Sequence, residues 1–214
     1  MSSHELAWLR DTAAQMSSVI EIGSWKGRST FALLEGCRGP VYAVDHWLGS
    51  WDERTGTHSE ALTCNMFHVF MGNVGHFPNL KAIRMDSLDA AECLPDVDMI
   101  FIDGCHQYDD VVQDLKAWRQ KAKKLLCGHD FNYESVKKAL KEEVGEVTNV
   151  VESLWAFETS KEYRIRPYVR PPLKPLRVKL IGMDKRCEVC TQTTDDSEGK
   201  CRFCGTPFPE DPAE

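Results

Sequence analysis

Between Ser18 and about Glu158, short apolar runs alternate with longer segments of helical spacing. The apolar runs Val19–Gly23, Val41–Asp45, Leu80–Arg84, Met99–Asp103, Leu125–Gly128, Val147–Val151 and Leu154–Glu158 read as strands, most of them too apolar to have a solvated face. Gly27–Glu35, Glu60–Phe70, Leu88–Cys93, Tyr108–Lys123 and Glu134–Glu143 read as helices. In the fourth, Val111, Leu115 and Trp118 recur at i, i+4 and i+7 and form an apolar stripe. Strand and helix in strict alternation predict an α/β fold around a mainly parallel sheet, and the last two strands, with no helix between them, predict a closing antiparallel hairpin.

The alternation stops after Thr159. Arg164–Lys179 holds four prolines, which block both helix continuation and central-strand pairing, so residues 160–185 read as an extended linker after a first domain of residues 1–159. Charge follows the same boundaries. Residues 1–159 carry a net −9, residues 160–186 a net +7 and residues 187–214 a net −5, against −7 for the whole chain. No apolar run approaches the roughly 18 residues that a membrane span needs. The start, MSSHELAWLRDTAAQ, lacks the basic n-region and apolar core of a signal peptide, so a cytoplasmic protein is expected.

That compartment changes the meaning of the nine cysteines. Four of them, Cys187, Cys190, Cys201 and Cys204, form two CxxC pairs ten residues apart. Four thiolates at that spacing suit tetrahedral Zn²⁺, and so short a tail would need the metal in order to fold, so residues 186–209 read as a zinc ribbon. The ribbon is acidic and offers only Phe203 and Phe208 as stacking surfaces, which favours docking or dimerisation over nucleic-acid binding, although the basic stretch beside it suits phosphates.

In the first domain, the run from Val19 to Thr30 passes from a buried strand through a glycine turn, Gly23 to Gly27, into a helix. Gly23 permits the sharp turn, and Gly27 is expected to let a ligand approach the helix start. Asp45 ends the second strand about twenty residues on, where a carboxylate suits the two hydroxyls of a ribose. A nucleoside ligand is the expectation, and the spacing departs from the GxGxxG of dinucleotide sites. At the same edge a buried strand ends in Asp103, with His106 close behind, and the next ends in Gly128-His129-Asp130. Two carboxylates in one crevice suit Mg²⁺, and the two imidazoles would also admit Mn²⁺ or Fe²⁺. Asp109, Asp110 and Asp114 read as exposed or capping residues of their helix, His58, His68 and His76 as surface, and Trp47 and Trp51 as pocket wall or core.

These residues carry a family resemblance. Glu21–Ser29 reads ExGxxxGxS, Asp45–Gly49 DxWxG, Asp86-Ser87 follows the third strand, Ile102–Tyr108 reads IDGxHxY, and Gly128–Phe131 reads GHDF. Together, in this order, they resemble the class I S-adenosylmethionine-dependent methyltransferases of the family 24 type, relatives of macrocin and, more distantly, catechol O-methyltransferases, over roughly residues 15–145. The resemblance implies a Rossmann-like, doubly wound, seven-stranded sheet and a cofactor site in which Glu21, Gly23, Ser24, Gly27 and Ser29 line the methionine end. Asp45 with His46 would grip the ribose, and Asp86 and Ser87 would border the adenine beside Asp103. It further implies a catalytic set of Asp103, His106, His129 and Asp130, and a divalent cation held by Asp103, Asp130 and Asn132, although Phe131 stands where metal-dependent relatives carry an acidic or amide residue. The implied reaction is O-methylation of a small molecule or sugar by a protein able to form a homo-oligomer. RNA or protein methylation guided by the tail, and a non-catalytic cofactor-binding protein, are the alternatives.

Overall fold

A computed structural model describes residues 1–50, 58–166 and 168, together with the backbone of three short strands, Leu180–Ile181, Asp184–Arg186 and Thr193–Thr194. The elements of the main sheet follow in the order α1 (Ser3–Ala13), β1 (Val19–Ile22), α2 (Arg28–Gly36), β2 (Val41–Asp45), α3 (Met66–Val74), β3 (Leu80–Arg84), α4 (Ser87–Cys93), β4 (Val97–Ile102), α5 (Tyr108–Trp118), β5 (Ala122–Gly128), α6 (Glu134–Glu143), β6 (Thr148–Val151) and β7 (Leu154–Glu158).

The strand order is β3-β2-β1-β4-β5-β7-β6, parallel through β5, with β7 antiparallel to both β5 and β6. This is the doubly wound, Rossmann-like sheet with its closing hairpin. The chain winds outward from β1 to β3, then returns to β4 on the other side of β1, so the switch of direction opens a crevice beyond the carboxyl ends of β1 and β4. Side chains alternate across the sheet as the strand period requires. Val19, Met99, Phe101, Leu125 and Cys127 enter one core with residues of α1, α2 and α3, whereas Ile20, Ile22, Ile100, Ile102 and Leu126 enter the other with α4, α5 and α6.

All seven expected strands are present with ends shifted by up to three residues, and several helices differ. The expected helix Glu60–Phe70 is instead a 3-10 turn at Ser59–Leu62 followed by α3, because Asn65 caps α3 by accepting from the His68 amide. α5 ends at Trp118 and passes into a 3-10 turn at Arg119–Lys121 rather than continuing to Lys123. The N-terminal segment, to which no helix was assigned, forms α1 through a capping box between Ser2 and Glu5. Among the described residues no helix is long and apolar enough to cross a membrane. The short strands at Leu180–Ile181, Asp184–Arg186 and Thr193–Thr194 make an antiparallel three-stranded sheet. Two of them fall in or beside the stretch read as linker. Cys187, Cys190, Cys201 and Cys204 lie outside the described residues, as does Trp51.

The two edges of the sheet treat buried charge differently. At the amino end of β4, Asp98 accepts from the Ser17 amide and hydroxyl and pairs with Lys124 at 2.8 Å; these contacts outweigh its burial and hold its carboxyl below the usual range. At the carboxyl edge burial wins at three carboxyls. Glu21 is pushed up to about 7, Asp103 to about 6 and Asp114 to about 6. Asp103 and Asp114 line a crevice, and carboxyls held there at that cost mark a functional edge.

Candidate functional site

A cavity of about 560 Å³ runs along the carboxyl ends of β1, β2, β3 and β4. Gly23 and Trp25 of the turn after β1, Asp45 and His46 of β2, Asp86 and Ser87 after β3, and Asp103 and Gly104 after β4 line it. Five aspartates face it, Asp45, Asp86, Asp103, Asp110 and Asp114, and no Lys or Arg does so among the described residues.

The glycine turn works differently from expectation. Gly23 has φ +85°, and a Cβ there would stand 2.2 Å from the Asp103 carbonyl oxygen, so its bare Cα lets the ends of β1 and β4 meet. Gly27, at φ +88°, faces Val74 and Phe70 of α3 and is absent from the cavity wall. It permits close helix packing rather than ligand approach. Glu21, Ser24 and Ser29 are likewise buried behind the turn and do not line the cavity. The Glu21 carboxylate accepts from the Thr30 hydroxyl, and its Oε1 has no hydrogen bond of good geometry. Of the ten expected cofactor residues, the cavity wall therefore contains Gly23, Asp45, His46, Asp86, Ser87 and Asp103.

Asp45 has a task within the fold. Its Oδ2 accepts from the Trp25 amide at 2.8 Å and its Oδ1 from the Trp47 amide at 2.6 Å. Both tryptophans adopt positive φ, 44° and 56°, so the carboxylate pins two strained turns to one point of the cavity wall. Trp47 is core rather than wall: it is buried, and its ring packs on Phe67 and Phe70. His58, expected at the surface, lines the cavity with its ring centroid 4.2 Å from that of Trp25, and its Nδ1 accepts from the Ser50 amide. Asp86 caps α4 by accepting from the Leu88 amide.

Asp114 overturns its expected exposure. It is buried, and Ser87 donates to its Oδ1 at 2.5 Å. The signal was present in the sequence, because position 114 falls between Val111, Leu115 and Trp118 on the stripe already recognised in α5.

Beyond Asp103, on the side of β5, lies a compact polar cluster. His129 Nδ1 is 2.9 Å from Asp130 Oδ1 and 3.5 Å from Asp103 Oδ1, while its Nε2 is 3.2 Å from Glu5 Oε1. Asp130 Oδ2 meets His106 Nε2 at 2.9 Å, and the His106 ring stacks on Tyr133 at 4.8 Å. Asp130 holds this position with φ 62°, a left-handed conformation strained for a residue with a side chain. Burial opposes charge on His129, but hydrogen bonds to Asp130 and Glu5 and the charge of Asp103 overcome it and hold the imidazole up at about 10. Those acidic partners favour the charged imidazole over the neutral form that would accept a proton. Burial also opposes charge on Glu5, but the bonds from His129, Ser2 and Ser153 bring its carboxyl down to about 2. No sequence signal assigned Glu5 to this edge, since its capping-box role accounts for the residue without the contact to His129.

Asp103, His129 and Asp130 offer ligand atoms within 4.8 Å of one another, a grouping able to hold a metal ion. Asn132, expected as the third ligand, is exposed. The cluster meets the cavity at Asp103, so a molecule against His106 and Asp130 adjoins one bound in the cavity.

The profile of a family described as a methyltransferase domain matches residues 20–131. No curated protein matches the chain in sequence. Among solved structures, the cofactor-bound Rv0187 from MTB is 17% identical with a TM-score of 0.51, the match covering 72% of this chain and 77% of that one. The SAH-bound methyltransferase PaMTH1 from Podospora anserina is 13% identical with a TM-score of 0.52, covering 71% and 76% respectively. At such identities the likeness is one of fold.

Proposed function

The chain belongs to the methyltransferase-domain family matched over residues 20–131, and from that premise we propose that it transfers a methyl group from S-adenosylmethionine to a hydroxyl of a small molecule or sugar. One observation carries the cofactor: the cavity presents five aspartates and no Lys or Arg among its described lining residues. Phosphate-bearing cofactors need cations or a phosphate cradle, which such a wall opposes. A nucleoside bearing a sulfonium and an ammonium is the complementary ligand, with hydroxyls for Asp45 and an amine for the buried carboxylates. When bound, that cofactor supplies an electrophilic methyl group.

The chain's own residues then place the acceptor and take its proton. Asp103 stands between cavity and cluster and orients the acceptor beside the cofactor. Asp130 holds the His106 imidazole by Nε2, which makes His106 the proton acceptor and leaves His129 as a fixed positive charge beside Asp103 and Asp130. Asp103 and Asp130 would hold a divalent cation such as Mg²⁺ or Mn²⁺, and it would favour ionisation of the acceptor hydroxyl. The net −9 of residues 1–159 disfavours an RNA acceptor.

Calorimetry with the full chain tests the cofactor. S-adenosylmethionine and S-adenosylhomocysteine are both expected to bind, and Asp45→Ala is expected to weaken binding by about 1–3 kcal/mol, since ribose hydroxyls lose a charged partner. No heat with either nucleoside, from protein that melts cooperatively, removes the reading; an unchanged affinity in the variant removes only Asp45. For the tail, we propose one structural zinc held by Cys187, Cys190, Cys201 and Cys204. Elemental analysis is expected to find one zinc per chain, and zinc-free protein from a fresh, chelator-free preparation would end that proposal.

A further inference from the structure

The end of the cavity between α4 and α5 contains a buried hydrogen-bond relay. Trp118 donates from Nε1 to Ser87 Oγ at 2.8 Å, and Ser87 donates onward to Asp114 Oδ1 at 2.5 Å. The indole has only a donor to offer, so the direction of the serine hydroxyl is set and its hydrogen is committed to Asp114. Asp114 is only 8% exposed, and its second oxygen, Oδ2, lies on the Gly104 side, 3.5 Å from where a Cβ on Gly104 would stand. Gly104 and Asp114 both line the cavity, and Gly104, with no side chain, leaves the space beside that oxygen unfilled. Burial, reinforced by the negative charges of Asp86 and Asp110 and only partly offset by Ser87, pushes the Asp114 carboxyl up to about 6. A carboxylate so placed gains from a hydrogen-bond donor and repels an acceptor.

We propose that Asp114 is the residue that selects the base of the bound nucleoside, accepting a hydrogen bond from a 6-amino purine and rejecting a 6-oxo purine. The inference rests on the nucleoside-cofactor reading above. With Asp45 taken by the ribose at the end of β2, the base extends toward the ends of β3 and α5, where Ser87, Gln113 and Asp114 line the cavity. A 6-amino group brings N–H donors to Oδ2, whereas a 6-oxo group brings lone pairs. Discrimination of this kind comes from the buried group left without its partner as much as from the bond that is made.

Calorimetric titration of the full chain with S-adenosylhomocysteine and with its 6-oxo counterpart, S-inosylhomocysteine, tests the assignment. The unaltered protein is expected to prefer the adenosyl compound by roughly 10- to 100-fold, the range for a hydrogen bond to a charged group. Asp114→Ala is expected to bring the two affinities within about threefold of each other, mainly by loss of adenosyl affinity. Asp114→Asn, which keeps shape and volume, is expected to narrow the preference as well and serves where the alanine variant fails to melt cooperatively. An equal affinity of the unaltered protein for both compounds, or a preference that survives in a folded Asp114 variant, overturns the role of Asp114 and leaves the cofactor reading standing. Absence of binding by either compound to the unaltered protein overturns both.

Discussion

Asp130→Asn is expected to lower methyl transfer by about 10²–10⁴-fold, the usual worth of a positioned proton acceptor, while leaving affinity for S-adenosylhomocysteine within about twofold. Asp130 touches both imidazoles, through Oδ2 to His106 and Oδ1 to His129. It does so from a left-handed backbone that the surrounding structure must enforce. An amide keeps the shape, but it can present a hydrogen-bond acceptor to only one imidazole, so His106 or His129 loses its partner. The cofactor cavity does not include Asp130, which is why turnover and cofactor affinity should separate. Labelled S-adenosylmethionine supplied with a cell-extract fraction that accepts the methyl group measures transfer, and calorimetry measures the affinity. Adding His106→Ala to the Asp130 variant is expected to cost little more, because the two residues act as a unit. A fully active Asp130→Asn enzyme sinks the assignment. If a cation takes part, a chelator that spares the tail zinc abolishes transfer and added Mg²⁺ or Mn²⁺ restores it; full activity under chelation removes the cation and leaves His106 with Asp130.

The second large effect belongs to the fold. Gly23→Ala is expected to cost about 3–5 kcal/mol, at the severe end for single substitutions, and so to lower the melting temperature by roughly 6–20 °C for a chain of this size. The added Cβ would stand 2.2 Å from the Asp103 carbonyl oxygen and 2.6 Å from its carbon, and neither backbone can retreat without parting β1 from β4. The same movement would displace Asp103, so cofactor affinity should fall along with stability. Gly27→Ala makes a useful contrast. There the Cβ meets the Val74 and Phe70 side chains at 3.1–3.2 Å, contacts that rotamer shifts can relieve. Thermal melts followed by circular dichroism should show the Gly23 variant as clearly the weaker of the two. Equal melting temperatures would mean that positive φ, common to both sites, accounts for the whole cost, and that the meeting of β1 with β4 is not the constraint.

Much of the site is a matter of strand ends, and strand ends are what a short apolar run bounded by glycine or aspartate marks most clearly. Asp45 and Asp103 were placed at the ligand edge because buried parallel strands carry nearly continuous apolar sequence, and the first polar residue past the run lies at the edge. Helix positions are harder to weigh. Asp114, grouped with Asp109 and Asp110, reads as an exposed or capping acid of its helix, yet it lies on the stripe of Val111, Leu115 and Trp118. Only its neighbours Ser87 and Trp118, 27 and 4 residues away in the chain, show how its burial is met. His58 reads as surface from its place in the middle region between the second and third strands, and nothing local reveals the ring of Trp25 beside it.

By itself, then, the sequence determined the α/β class, the seven strands, the closing hairpin and the residues standing at the ligand edge, since each follows from local periodicity and from a few dihedral demands such as that at Gly23. The tertiary structure alone decided which of those residues face the cavity and which support it from behind: Glu21, Ser24, Gly27 and Ser29 went behind, Asp114 and His58 came forward, and Asn132 was left in solvent. It alone brought Glu5 from the first helix to His129, across 124 residues of chain. The reason is physical. Periodicity reports which face of an element is buried, whereas the partner it meets there, and therefore the charge and hydrogen-bonding state of a buried group, depends on the order of strands in the sheet, which no local pattern encodes.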